Sequence, residues 1–76
     1  MADGYEETEY NGIPYRTTRS ERSDEFGVIW HIEYKQAKTY PWGPRGIMHE
    51  RDGRFFAGDR DFGTAHEALR YRAIHL

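Results

Sequence analysis

Four histidines, His31, His49, His66 and His75, are the first residues in this 76-residue sequence that could do chemistry. Imidazole ligates metals and moves protons near neutral pH. Small metal centres draw on closely spaced ligand pairs, often with thiolates. This chain has no cysteine, no His-x-x-x-His and no His-Glu-x-x-His. Ligands could still converge from separate elements, for instance His31 with Glu33 and His49. We read the histidines instead as exposed or strand-edge residues, and expect neither metal nor cofactor. Nucleophilic catalysis has little to work with. The only serines, Ser20 and Ser23, stand in a charged run with no strand-turn-helix setting around them. Asp59 and Asp61 flank Arg60 and could act as acid and base, or hold a cation. Such a run before a helix reads more simply as a solvated turn. No glycine-rich phosphate loop is present. The expectation is a protein that is not an enzyme.

Binding chemistry is better represented. Nine of the eleven basic residues are arginine, whose rigid fork of donors suits recognition. Arg16, Arg19, Arg51 and Arg54 fall in strand-like segments, where they could meet phosphates. The run Tyr40-Pro-Trp42-Gly-Pro-Arg45 puts two aromatics and a guanidinium in one loop, a composition common at interface hot spots. Trp42 either joins that interface or caps the core. Asp3, Glu6, Glu7 and Glu9 form an acidic row that could imitate phosphates to a basic partner. The sequence thus offers one candidate protein-binding set (Asp3, Glu6, Glu7, Glu9, Tyr40, Trp42, Arg45). It offers a second set for nucleic acid (Arg16, Arg19, Arg51, Arg54).

The elements that must position these residues are legible in part. Residues 28–35 alternate strictly, with Val28, Trp30, Ile32 and Tyr34 on one face and Ile29, His31, Glu33 and Lys35 on the other. That pattern marks a strand with one buried and one wetter face. Residues 10–19 read as a first strand, beginning at or after Pro14. The polar run Ser20–Glu25 reads as a loop, and so do residues 39–46, with two prolines and two glycines. Residues 47–57 read as a hairpin turning at Asp52-Gly53. Residues 65–75 read as a helix, opened by a capping box from Thr64 to Glu67. Ala65, Ala68, Leu69, Ala73 and Leu76 lie along its apolar stripe, and Arg72 interrupts it. The expected fold is α+β, a three- to four-stranded antiparallel sheet with one C-terminal helix packed on one face.

Length allows one domain. A chain this short buries only about 60% of its unfolded surface, so its core is thin. The first nine residues carry four acids and no base, whereas the rest carries nine acids against eleven bases. We divide the chain into an acidic flexible arm, 1–9, and a single domain, 10–76. Aromatics make up 16% of residues, a share that suits interfaces as well as cores. The longest apolar run is three residues, far short of the about 20 that span a membrane. The acidic N-terminus does not read as a secretion signal. With no cysteine, the expectation is a cytoplasmic protein, monomeric or weakly dimeric.

Two resemblances extend this reading. Phe62-Gly-Thr-Ala-His-Glu-Ala68 is similar to the strand-to-helix passage of sheet-based DNA-binding domains at the N-termini of phage integrases and in plant ethylene-response factors. That resemblance implies a nucleic-acid-binding sheet. In size, charge and architecture, the whole chain resembles the small phage inhibitors called anti-CRISPR proteins. That resemblance implies a non-enzymatic inhibitor or adaptor in the host bacterial cytoplasm. Its partner would be a larger protein or ribonucleoprotein, such as a CRISPR surveillance complex, whose binding of target DNA it would block. The anti-CRISPR-type inhibitor is the first expectation and the nucleic-acid-binding sheet the alternative.

Overall fold

A computed structural model describes residues 4–75 of the chain. The order of elements is β1 (Tyr5–Tyr10), β2 (Ile13–Asp24), β3 (Gly27–Tyr34), β4 (Gly43–Arg51), β5 (Arg54–Ala57), β6 (Arg60–Phe62) and α1 (Ala65–Ile74). Every strand pairs antiparallel with the next, so the sheet follows chain order. The α+β class is kept, but the expected three- to four-stranded sheet is replaced by a six-stranded one, curled into a half-barrel.

Each additional strand comes from a segment whose side chains did not advertise it. Residues 5–9, expected to be a loose arm, pair along β2 from Tyr5–Thr18 to Tyr10–Ile13. The turn between them is Asn11-Gly12, both with positive φ (53° and 77°), a two-residue turn whose twist suits a hairpin. The first strand of the core therefore starts at Ile13 rather than at residue 10. The polar run Ser20–Asp24 is not a loop but the outer part of β2. There the ladder with β3 shifts register between Arg19 and Ser23. The Ser20 hydroxyl spans the irregularity, donating to the Ile29 carbonyl at 2.8 Å and accepting from the Arg22 amide at 3.1 Å. β4 begins at Gly43, inside the expected loop 39–46. Arg60 and Asp61, read as part of a solvated turn, belong with Phe62 to β6, which returns after Gly58-Asp59. A second shift between Ile32 and Glu33 completes the bulges. Bulges increase local twist and bend, which suits a curled sheet.

The hairpin at Asp52-Gly53 and the helix form where the sequence puts them. Thr64 Oγ accepts from the Glu67 amide at 3.2 Å and donates to the Glu67 carboxylate at 3.1 Å. The helix lies in the hollow of the sheet and touches β1, β2, β5 and β6, so it bridges the two ends of the curl. Three alanines and Leu69 face the strands. Small side chains allow close approach, and Leu69 fills the remaining depth. The core combines Tyr15, Trp30, Ile32, Met48 and Ala57 with Ala65, Ala68, Leu69 and Ala73. Thr17 is buried among them, its hydroxyl donating to the His31 carbonyl at 2.9 Å. No helix among the described residues is long and apolar enough to cross a membrane.

Candidate functional site

The helix covers one face of the sheet and leaves the other open. Because side chains alternate along each strand, cross-strand partners line up in rows on that open face. One row is Glu7, Arg16 and Glu33. The next is Tyr5, Thr18, His31 and Ile47. A third is Ile29, His49, Phe56 and Asp61. The last is Arg51 opposite Arg54.

At the first row, Arg16 Nε lies 2.8 Å from Glu33 Oε1. Its guanidinium stacks 4.2 Å from the centre of the Trp42 ring, and Lys35 approaches the same ring at 5.2 Å. Trp42 is thereby half-buried between two cations at one end of the open face, while Tyr40 beside it is 52% exposed. Glu33 and Tyr5 act against the burial of Arg16 and hold its pKa above the ordinary value.

At the other end, Phe26, Ile47 and Phe56 floor a groove of about 380 Å³, with His49, Arg51 and Arg72 around it. Phe26 is 56% exposed, and its ring meets His49 edge-on at 5.7 Å. Asp24 closes the turn below it. One carboxylate oxygen accepts from the Phe26 amide at 2.8 Å, and the other lies 3.1 Å from His49 Nε2. These two partners hold the Asp24 carboxyl below the usual aspartate value.

The helix side has a polar mouth of its own. Glu50 accepts from Arg19 Nε at 2.9 Å and from Trp30 Nε1 at 3.0 Å. Burial raises the Glu50 pKa, but these two donors outweigh it and leave the carboxyl below its ordinary value. Glu6 faces His66 of the helix at 3.6 Å. Arg45 lies under the sheet as well, its guanidinium 5.0 Å from the Tyr34 ring centre and 6.0 Å from that of Tyr15. It is the extra residue of the β4 bulge, which turns it away from Trp42.

The residues singled out from the sequence are therefore distributed rather than gathered. Glu7 and Glu9 lie on the open side of β1, Glu6 turns to the helix, and Asp3 lies outside the described residues. Alternation along a strand splits any consecutive acidic row in this way. Tyr40 and Trp42 stay together, and Arg45 does not join them. Of the four strand arginines, Arg19 is on the helix side, Arg16 sits at the Trp42 end, and Arg51 and Arg54 sit at the far end. Three are paired with a carboxylate: Arg16 with Glu33, Arg19 with Glu50, and Arg54 with Asp61 at 2.9 Å. His31 and His49 share the open face, yet among the described residues no three His, Asp or Glu side chains converge as a ligand set. The groove joins Phe26 and Arg72, which lie far apart in the chain. Its only sequence trace is the apolar character of Ile47 and Phe56 on the hairpin's outer face.

Comparison with protein families, with characterised proteins and with solved structures finds no match to this chain.

Proposed function

We propose that this protein is a small non-catalytic inhibitor or adaptor that docks on a bacterial nucleic-acid-handling protein complex through its open sheet face. One observation carries the choice of a protein partner. Three of the four strand arginines are held by carboxylates of the same sheet, at 2.8 to 2.9 Å. Affinity for nucleic acid comes largely from cations that displace counterions from phosphates. A guanidinium already neutralised within its own sheet contributes little of that. Protein interfaces, by contrast, are enriched in aromatics and arginine and tolerate balanced charge. The exposed Tyr40, the cation-flanked Trp42 and the Phe26–Ile47–Phe56 surface fit that description. The resemblance to anti-CRISPR inhibitors makes CRISPR surveillance complexes the first partners to try.

A sheet-based nucleic-acid binder is the second reading. An uncovered sheet opposite a C-terminal helix favours it. Fluorescence anisotropy of labelled duplex and single-stranded DNA across a salt series separates the two. The protein-partner reading expects no binding even at low salt, together with capture of the protein by a surveillance complex and weaker target-DNA binding by that complex. Binding to DNA that weakens steeply with salt overturns it in favour of the second reading. Because β1 is part of the sheet, its acidic residues are best tested by substitution at Glu7 and Glu9 rather than by deleting the strand.

A further inference from the structure

We propose that the groove over Phe26, Ile47 and Phe56 receives a short segment of the partner protein, a bulky apolar side chain next to a carboxylate. The inference rests on the protein-partner reading and names what that partner must present. The floor is apolar and uncovered: Ile47 is 43% exposed and Phe26 56%. Its volume, about 380 Å³, lies in the range of sites that enclose small groups. A purely apolar occupant would satisfy the floor but not the rim.

The rim carries two guanidinium groups, those of Arg51 and Arg72, that no carboxylate of the described residues holds within 4.0 Å, unlike Arg16, Arg19 and Arg54. Arg51 lies over Phe56, its guanidinium carbon 5.0 Å from the ring centre, a cation–π contact that leaves its N–H groups free of carboxylates. Arg72 belongs to the helix but lines the groove, because Gly46 and Gly58 leave it a passage beside β4. A Cβ at residue 46 would stand 3.0 Å from Arg72 Nη2. Asp24, the acid beneath Phe26, has its oxygens engaged by the Phe26 amide and by His49. Paired guanidinium donors above an apolar floor select a carboxylate joined to a bulky hydrophobic group, since the fork matches carboxylate geometry.

The experiment is a titration of the full chain, followed by NMR of backbone amides and arginine Nε–Hε groups, with N-acetyl-Phe-Glu-amide. N-acetyl-Phe-Gln-amide and N-acetyl-Gly-Glu-amide are the controls. The expected result is perturbation at Phe26, Ile47, Phe56 and the Nε groups of Arg51 and Arg72. Each control should bind about tenfold more weakly, the scale of losing one charge-assisted contact or the apolar anchor. Arg72→Gln should abolish the preference for Glu over Gln. Gly46→Ala, which keeps the charge but displaces the guanidinium, should reduce it. Equal binding of the Glu and Gln peptides, perturbation elsewhere, or no perturbation at millimolar peptide overturns the proposal. The peptide does not depend on the partner's identity. Its failure removes the groove, while the DNA titration decides the protein-partner reading separately.

Discussion

Glu50 joins burial, charge and pH in one side chain. It draws Trp30 and Arg19 together at the mouth of the hollow, at 3.0 and 2.9 Å. Its folded pKa lies below the ordinary 4.5. A carboxyl with a depressed folded pKa stabilises the fold above its unfolded value, and that contribution is lost as pH falls through the folded one. Glu50→Gln should therefore lower stability at neutral pH by about 1 kcal/mol, a figure kept small because the pair is partly solvated. The same change should shrink the loss of stability as pH falls through and below the ordinary glutamate range. Urea unfolding at a series of pH values measures both. Gly27 is a backbone counterpart. It has φ of 127°, and a Cβ there would overlap the Glu50 carbonyl of the neighbouring strand. Gly27→Ala should cost about 2 kcal/mol or more, since strained backbone and a backbone clash act together. A midpoint of urea unfolding equal to that of the parent would refute this.

Among the elements, the helix depends most on its ends and its docking. Ten residues are too few to persist alone in water. Thr64 satisfies an amide of the first turn, and Glu67 accepts from the threonine hydroxyl instead of reaching the backbone. Thr64→Ala should cost about 1 kcal/mol, read as a lower thermal midpoint by circular dichroism. This cap was legible because its signal lies within four consecutive residues. The hairpin at Asp52-Gly53 was legible for the same reason. The hairpin at Asn11-Gly12 carries an equally local turn signal, but the acids that follow β1's start obscured the strand. Glu6, Glu7 and Glu9 are poor strand formers, and they pair because β2 supplies a ladder.

For the whole molecule, the helix bridging the two ends of a curled sheet is the main device. It contacts β1 at one end and β5 and β6 at the other. Leu69, fully buried, is its deepest side chain. Leu69→Ala should cost about 3 kcal/mol. A domain this size holds only about 5 kcal/mol or somewhat more, so that variant should be substantially unfolded at 37 °C. A cooperative urea transition at the parent's midpoint would show that the helix is peripheral. The open face is the molecule's other large-scale property. Its charges alternate in the row Glu7–Arg16–Glu33 while Arg51 faces Arg54 at the other end, so a net charge of −2 says little about what that face attracts.

The sequence by itself determined the central strand, one hairpin, the helix with its cap, and the α+β class. All of these rest on contacts within a few residues, where alternation, turn chemistry and capping act. The number of strands, the curl, and the faces on which the arginines and acids lie were decided only by the tertiary structure. Strand pairing satisfies backbone groups from a distant segment, so a polar or acidic stretch becomes a strand when its neighbour offers a ladder. Each arginine's availability was settled in the same way, by whether pairing set a carboxylate beside it, as with Arg16 and Glu33, or left an aromatic floor beneath it, as with Arg51 and Phe56.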